Sequence, residues 1–167
     1  MKENIRSCGI YANQFIIAIN TRSGDGIWVR DDKGKEYLLF PNIENSTFGE
    51  AIVECLKFSR LITSEESDFF DLRKVSERYK EWVRRLLAFT SIKTNERLFK
   101  PMFNLSVEER DGVITFIPLD QVKREAWNGN RISQADYVEI SISSSLEDIG
   151  IAAHLALSRC KSIYSKS

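Results

Sequence analysis

The hydrophobic pattern of the N-terminal quarter predicts short β-strands. Apolar stretches rich in β-branched and aromatic residues cover residues 15–19, 27–29 and 37–40. The segments that separate them, residues 23–26 and 31–34, are rich in Gly and Asp. Short apolar runs bounded by turn-forming residues are typical of strands joined by tight connections. We therefore predict an antiparallel meander of three strands.

A first helix is predicted directly after these strands. Thr47 and Glu50 have the spacing of a capping box, in which each side chain accepts a hydrogen bond from the backbone N–H of the other residue. The helix that they open has an apolar face at three- and four-residue spacing, formed by Phe48, Ile52, Cys55 and Leu56.

A second helix, over residues 72–89, has the stronger pattern. Its apolar side chains recur at helical spacing and form one face, made of Leu72, Val75, Tyr79, Trp82, Val83, Leu86 and Leu87. Its other faces carry basic stripes, formed by Arg73, Lys74, Arg78, Lys80, Arg84 and Arg85. Glu77 and Glu81 interrupt these stripes at ion-pairing distance. The stripes therefore have two interpretations, a face that binds phosphate and a solvated face held by salt bridges.

The C-terminal half predicts a hairpin, a further strand and a final helix. Residues 103–107 and 113–117 flank a turn at Arg110–Gly112, and the second strand is apolar on both faces, which favours a central position in the sheet. Residues 119–135 are expected to form a loop with some helix. Residues 138–142 alternate as a half-buried strand. Ser144 or Ser145 then caps a helix whose first turn contains Glu147 and Asp148.

A glycine recurs at one position of the first and last helices. Phe48 and Gly49 match Ile149 and Gly150, 101 residues later. Gly costs a helix about 1 kcal/mol relative to Ala, so we expect each glycine to permit close approach of its helix to the sheet. Chance agreement and an ancient duplication both explain the match. The chain is thus predicted to form a single domain, residues 1–167, with the option of two weakly similar halves.

These elements predict an α+β fold, in which a mostly antiparallel sheet, built from the meander, the hairpin and the C-terminal strand, is covered by about three helices. The 167 residues are 43% hydrophobic and 29% charged, which is typical of a soluble globular protein. The balance of 24 Lys and Arg against 24 Asp and Glu excludes the broadly basic character of a general nucleic-acid binder, although local patches remain open.

The N-terminus and the cysteines indicate a cytoplasmic protein. No apolar stretch follows the charges of residues 1–6, which argues against a secretory signal, and no run is long enough to predict a membrane span. Cys8, Cys55 and Cys160 are far apart and odd in number, so neither a disulfide framework nor a zinc site is expected. Cys55 and Cys160 are expected to be buried core thiols.

Catalytic groupings are absent from the sequence pattern. His154 is the only histidine, so the chain cannot form a two-His metal site or a pair of catalytic histidines. His154 and Cys160 are six residues apart on one predicted helix, which is the wrong spacing for contact. No glycine-rich phosphate-binding motif is present. We therefore expect no catalytic residues, no metal and no cofactor, and a protein that is not an enzyme.

One acidic segment is a candidate interaction surface. Residues 64–71 combine four acids with two adjacent phenylalanines between the predicted helices. They form either an acid-rich helix N-terminus with one Phe in the core or a protein-binding patch in which apolar anchors are rimmed by charge.

Positions spread over most of the chain look like packing and capping positions rather than chemical motifs. They are 48–51, Leu56, Ser59, Arg60, Tyr79, Trp82, Lys93, Thr94, Leu98, Phe99, Ile117, Pro118, Trp127, 147–150, Ala152, Leu157 and Cys160. In these positions the sequence resembles the CdiI family, the immunity proteins of bacterial contact-dependent growth inhibition (CDI) systems.

The resemblance implies a cytoplasmic antitoxin without membrane or direct nucleic-acid contacts. It would bind the C-terminal toxin domain of a cognate CdiA effector 1:1 and block it, and such toxins are most often nucleases, frequently ribonucleases. The family implies no shared binding residues.

Charge complementarity indicates which residues could form the toxin-binding surface. A nuclease cleft attracts a polyanion, so an inhibitor that covers it should present carboxylates beside aromatic anchors. The first candidate set is Glu65, Glu66, Asp68, Phe69, Phe70 and Asp71. The second set is Asp25, Trp28, Asp31 and Asp32.

The sequence alone leaves two alternative functions open. The basic helix over residues 72–89 would serve a small nucleic-acid-binding module. A small-molecule enzyme would require a pocket that joins His154 or Cys160 to carboxylates from elsewhere in the chain.

Overall fold

The structure, a computed structural model, describes residues 4–165, apart from the side chains of Ser64 and Ser67. In this part of the chain the strands are β1 (Arg6–Ala12), β2 (Ile17–Gly24), β3 (Trp28–Arg30), β4 (Glu36–Leu39), β5 (Phe103–Arg110), β6 (Val113–Pro118), β7 (Asp120–Lys123), β8 (Ala126–Asn128), β9 (Val138–Ser141) and β10 (Lys161–Ser162). The α-helices are α1 (Asn45–Lys57), α2 (Leu72–Thr90), α3 (Asn95–Phe99) and α4 (Leu146–Ser158), and Ser64–Phe70 and Gln134–Asp136 are 3-10 helices.

The main sheet is antiparallel throughout and confirms the predicted α+β class. Its order is β3-β2-β1-β5-β6-β9, and β4 also pairs with β2. The predicted hairpin is present as β5 and β6, and β6 lies between β5 and β9, as its apolar character on both faces indicated. Strand β1 escaped prediction.

The predicted meander is wrong in its pairing. The third predicted strand, β4, pairs with β2 and not with β3, since Ile17 lies opposite Leu39 while Arg22 lies opposite Arg30. Residues 31–35 therefore form a loop that interrupts a single long partner of β2. The meander that does form consists of β1, β2 and this interrupted partner.

Helices cover both faces of the sheet. Helices α1 and α4 pack on one face with the side chains of Ile17 and Ile19, whereas α2 and α3 pack on the other face with Ala18. Successive side chains of a strand point to opposite faces, so β2 contributes to both layers of the core. This is why β1 and β2 are buried over nearly their whole length.

The helix ends correct one prediction and confirm another. Helix α1 begins at Asn45 with Glu44 as its N-cap and no side-chain cap, so Thr47 lies within the helix and the predicted capping box does not form. The hydroxyl of Ser145, by contrast, accepts a hydrogen bond from the backbone N–H of Asp148 at 3.1 Å and caps α4. Glu147 and Asp148 occupy its first turn, as predicted.

The two helical glycines have a different role from the one expected. A Cβ on Gly49 would lie 1.9 Å from the carbonyl oxygen of Leu146, and one on Gly150 would lie 2.0 Å from that of Asn45. The glycines therefore permit the close approach of α1 to α4, not of either helix to the sheet.

Residues 119–135 are not the loop that was expected. They contain β7 and β8, which make a small second sheet with β10, and the start of the 3-10 helix Gln134–Asp136. The buried side chain of Gln121 joins this sheet to the core, since its amide donates to the carbonyl of Phe99 at 2.6 Å and accepts from the backbone N–H of Met102 at 3.1 Å. Among the described residues, no helix has both the length and the apolar character to cross a membrane.

Candidate interaction surface

Arg60 brings the two predicted candidate sets together. Its Nε donates to Oδ2 of Asp31 at 2.8 Å, and its Nη1 donates to Oε1 of Glu66 at 2.6 Å. Asp31 belongs to the loop between β3 and β4, and Glu66 belongs to the acidic 3-10 helix Ser64–Phe70. Two carboxylates that are 35 residues apart in the numbering therefore share one guanidinium.

Asp31 is an internal anchor of this arrangement. Only 4% of the residue is exposed, and its carboxylate also accepts hydrogen bonds from the hydroxyl of Ser23 at 2.7 Å and the backbone N–H of Lys33 at 3.1 Å. Burial opposes ionisation of Asp31, but the hydrogen bonds from Arg60, Ser23 and Lys33 outweigh it and hold its pKa below the usual value. Its carboxylate thus fixes the loop to Arg60.

The acids of the first set differ in what they contact. Asp68 pairs with Nζ of Lys74 at 2.7 Å, and this hydrogen bond lowers the pKa of Asp68. Asp71 is the N-cap of α2, because its Oδ1 accepts from the backbone N–H groups of Arg73 and Lys74 at 3.0 and 3.2 Å. Glu65 is exposed. The segment therefore includes the acid-rich helix N-terminus of the first alternative, with Asp71 as the cap of α2.

The adjacent phenylalanines are divided between core and surface. Phe69 is buried beneath the guanidinium groups of Arg60 and Arg78, whose Cζ atoms lie 5.9 and 5.0 Å from its ring centroid. Phe70 is 37% exposed and meets Phe69 edge to face at 5.0 Å. Phe69 thus supports the segment, and Phe70 is the side chain that a partner can reach.

Two hollows share Arg60, and we call them together the Arg60 surface. The first, of about 390 Å³, is lined by Asp31, Asp32, Lys33, Arg60, Glu66, Asp68, Phe69, Lys74 and Arg78. The second, of about 410 Å³, is lined by Asn4, Ile5, Arg6, Asp25, Gly26, Trp28, Ser59, Arg60 and Leu61. All members of the second candidate set therefore line one hollow or the other.

Sequence reasoning missed the residues that join the hollows. Arg60 lies shortly after α1, which ends at Lys57, and its backbone carbonyl accepts a hydrogen bond from the N–H of Gly24 at 3.2 Å. Leu61, which is 52% exposed, forms an isolated parallel bridge with Gly24 at the end of β2. Ile27, 71% exposed, lies next to Trp28 in the turn before β3. In the sequence, the only local sign of this surface was that Ile27 and Leu61 are apolar, and the structure shows that both are exposed.

Most of the basic side chains of helix α2 form ion pairs with acidic side chains. Arg73 pairs with Glu77, Arg84 with Glu81, and Arg85 with Glu36 of β4, the last through two hydrogen bonds of 2.7 and 3.0 Å. The pairs with Glu77 and Glu81 are the ones that the interrupted charge pattern indicated, whereas the pair of Arg85 with Glu36 was not predicted. Together they reduce the positive charge that the helix can offer to phosphate.

His154 and Cys160 lie outside any catalytic grouping in the described residues. His154 is half-buried, its ring meets that of Phe48 at 4.9 Å, and burial lowers its pKa. It lines a groove of about 440 Å³ whose described lining contains neither Cys160 nor a carboxylate. Cys160 is a free buried thiol whose pKa burial raises to about 11. Nor do the described His, Cys, Asp and Glu side chains form a group of three that could hold a metal ion.

These features define an α+β protein in which Arg60 joins two polar hollows. The chain is similar to known proteins over most of its length, and the family model of CdiI, CDI immunity protein, matches residues 6–160. The chain is 32% identical to Immunity protein CdiI-YPIII of Yersinia pseudotuberculosis serotype O:3 (strain YPIII), across 89% of this chain and 92% of that protein. The chain therefore belongs to the CdiI family of CDI immunity proteins, which confirms the resemblance seen in the sequence.

Two solved structures share the fold. A chain of the CdiA-CT/CdiI toxin and immunity complex from Yersinia pseudotuberculosis matches with a TM-score of 0.89 and 29% identity, covering 95% of this chain and 98% of that chain. A protein of unknown function from Neisseria meningitidis matches with a TM-score of 0.88 and 34% identity, covering 96% and 98%.

Proposed function

We propose that this protein binds the C-terminal toxin domain of a cognate CdiA effector in a 1:1 complex and neutralises it in the cytoplasm, without catalysing a reaction itself. The observation that carries the proposal is the likeness, over 95% of the chain, to a chain of a solved toxin and immunity complex. The absence of a catalytic grouping around His154 and Cys160 supports a binding role.

The Arg60 surface is the proposed toxin-binding site. Interfaces draw much of their affinity from Trp, Tyr and Arg near the centre of the contact, and this surface offers Trp28 and Arg60 beside the exposed Leu61. The ion pairs of Arg60 with Asp31 and Glu66 hold the loop and the 3-10 helix in place before binding. Preorganisation of this kind reduces the entropy lost on association.

The surrounding acids are the proposed source of electrostatic attraction. The exposed residues Asp68, Asp32 and Asp25 line the hollows, and the exposed Glu65 precedes the lining residue Glu66 in the sequence. We propose that the toxin is a nuclease, with RNA as the expected substrate, because a cleft that binds a polyanion is positive and would be attracted to this rim.

Co-expression in a bacterial host tests the proposal. The toxin domain encoded beside this protein should stop growth when it is expressed alone, and co-expression of this protein should restore growth. Degradation of RNA or of DNA in the intoxicated cells identifies the substrate. Growth arrest that persists despite co-expression of the folded protein would contradict the proposed function.

Paired charge reversals locate the binding surface. Arg60→Glu should remove protection, whereas Arg84→Glu, on the exposed ion-paired side of α2, should retain it. Because Arg60 also supports the local fold, Leu61→Asp provides a second test that leaves the ion pairs intact. Full protection by both the Arg60 and Leu61 variants would exclude this surface as the toxin-binding site.

A further inference from the structure

A small polar pocket lies behind the loop that interrupts the partner of β2. It has a volume of about 190 Å³, and its lining comes from β2, the 31–35 loop, the ends of β3 and β4, and α2. Its lining residues are Asn20, Arg30, Asp31, Asp32, Gly34, Lys35, Glu36 and Arg85. We call it the Arg30 pocket. It is next to the Arg60 surface, since Asp31 and Asp32 line both.

Arg30 lines this pocket with a partly buried side chain that forms no ion pair with a carboxylate among residues 4–165. Its guanidinium lies 4.0 Å from the ring centroid of Trp82, and its Nε is buried without a hydrogen-bond partner among the described residues. Burial lowers the pKa of Arg30, which reflects the cost of placing this charge away from water. Buried polar atoms in proteins are nearly always hydrogen-bonded, so the unsatisfied Nε of Arg30 is unusual.

Asn20 lines the same pocket and also lacks hydrogen-bond partners among the described residues. Only 2% of the residue is exposed, and neither its amide nitrogen nor its amide oxygen has a hydrogen-bond partner in the described part of the chain. The strand register fixes its position, because Asn20 lies opposite Gly9 of β1 on one side and Glu36 of β4 on the other. Buried side-chain amides are nearly always hydrogen-bonded, so Asn20 has a donor and an acceptor to offer to a bound group.

The acids that line the pocket are largely neutralised by other partners. Asp31 is bound by Arg60, and Glu36 accepts two hydrogen bonds from Arg85. Asp32 is exposed at the rim. Because the ammonium of Lys35 lies over the ring of Phe58, 5.0 Å from its centroid, Arg30 is the cation left to attract a ligand. A guanidinium next to an amide N–H₂ is suited to a group with two acceptor oxygens and a negative charge.

We propose that the Arg30 pocket binds a small oxoanion, a carboxylate or a phosphate group, through the guanidinium of Arg30 and the amide of Asn20. The volume is below the range of about 300–1,000 Å³ that is typical of sites for larger ligands, so the pocket suits one such group and not a nucleotide. The oxoanion is either free phosphate or an acidic side chain of a partner docked on the neighbouring Arg60 surface, and only this second source rests on the proposed function.

Titration of the full-length protein with inorganic phosphate tests the pocket. The side-chain Nε–H signal of Arg30 in ¹⁵N-resolved NMR spectra should shift saturably with phosphate and not with chloride at equal ionic strength. Arg30→Gln should weaken phosphate binding about tenfold or more, the loss expected of one charged hydrogen-bonding group. Arg84→Gln, which removes an exposed cation from the same helix as Trp82, should leave binding unchanged.

A second variant keeps the test decisive if Arg30→Gln does not fold. Asn20→Asp places a carboxylate of nearly the same shape in the pocket, so it should abolish the phosphate-dependent shift of Arg30. An undiminished shift in this variant would show that phosphate binds elsewhere and would overturn the proposal.

Addition of the toxin domain distinguishes the two sources. A shift of the Arg30 signal that saturates at one equivalent of toxin and displaces phosphate identifies a partner carboxylate. A phosphate response that persists in the complex identifies a free oxoanion. If the toxin domain does not associate at all, the proposed function fails while the phosphate titration still decides the pocket. An Arg30 signal that responds to neither addition overturns the proposal.

Discussion

Gly49 and Gly150 occupy equivalent positions, each the fifth residue of its helix, at the contact between α1 and α4. Each lies against the carbonyl of the first residue of the opposite helix, since added Cβ atoms would lie 1.9 Å from the oxygen of Leu146 and 2.0 Å from that of Asn45. The recurrence of glycine at an interval of 101 residues in the sequence is thus explained by a reciprocal packing contact.

Substitution of Gly150 tests this contact. Gly150→Ala should lower the free energy of unfolding by about 1–3 kcal/mol, because the methyl group meets backbone atoms that cannot move aside. This is the net change, after the gain of about 1 kcal/mol that alanine brings in helix propensity. Urea unfolding followed by circular dichroism measures the change.

Gly129→Ala is the matched control for this prediction. No atom lies within 4 Å of a Cβ at Gly129, so its unfolding midpoint should remain close to that of the wild type. A Gly150→Ala variant that is more stable than the wild type would show that the helices do not approach this closely.

The ion pair between Arg60 and Asp31 should contribute to stability as well as to the surface. Arg60→Gln leaves the buried carboxylate of Asp31 without its cation and should cost about 2 kcal/mol of unfolding free energy, less than a fully buried pair because Arg60 is partly exposed. Arg84→Gln breaks an exposed pair and should change it by less than about 0.5 kcal/mol. Equal stability of the two variants would contradict the anchoring role of Asp31.

Asp120 should make the protein sensitive to acid. It is 1% exposed, and it accepts hydrogen bonds from Nε and Nη2 of Arg131 at 2.7 and 2.9 Å, which hold its pKa below the usual value of about 4. A carboxyl with a lowered pKa in the folded state stabilises the protein above its unfolded pKa, and this contribution is lost as the pH falls through the folded pKa. Unfolding free energies measured from pH 5 downwards should therefore decrease less steeply in Asp120→Asn.

Arg131→Gln should flatten the same part of the pH profile, since it removes the cause of the pKa shift and leaves the carboxyl in place. A profile with the same slope in the wild type and both variants would mean that this pair does not govern acid stability.

The three thiols should be unreactive in the folded protein. Cys8, Cys55 and Cys160 are buried, and burial raises the pKa of Cys55 to about 12 and that of Cys160 to about 11, and also raises that of Cys8. The thiolate is the nucleophile, so a thiol-reactive chromogenic reagent at pH 8 should label none of them until urea is added. Rapid labelling of the native protein would reopen the possibility of a catalytic cysteine.

Periodic elements were predictable from the sequence, and interrupted ones were not. The long apolar periodicity around Trp82 and Leu86 specified α2, and the alternation within residues 138–142 specified β9. Strand β1 escaped notice because Ser7 and Gly9 break its apolar run, although both positions are buried in the structure. The 31–35 loop resembles an ordinary turn, and only the tertiary pairing of both β3 and β4 with β2 reveals that it interrupts a single partner of β2.

The sequence predicted the separate segments of the candidate surface but not the contacts that connect them. Local composition singled out the acids and aromatics of residues 64–71 and the turn around Trp28. Their connection depends on Arg60, whose contact with Asp31 spans 29 residues and leaves no local pattern. The unpaired state of Arg30 is likewise a tertiary property, because the neighbouring acids are bound by Arg60 and Arg85.

Isothermal titration calorimetry of the purified protein with the toxin domain encoded beside it tests the central proposal most directly. We expect a single transition at one equivalent, with a dissociation constant on the order of nanomolar or tighter, as is typical of a stable specific complex. Absence of measurable heat and of any complex at micromolar concentrations of both folded proteins would contradict it.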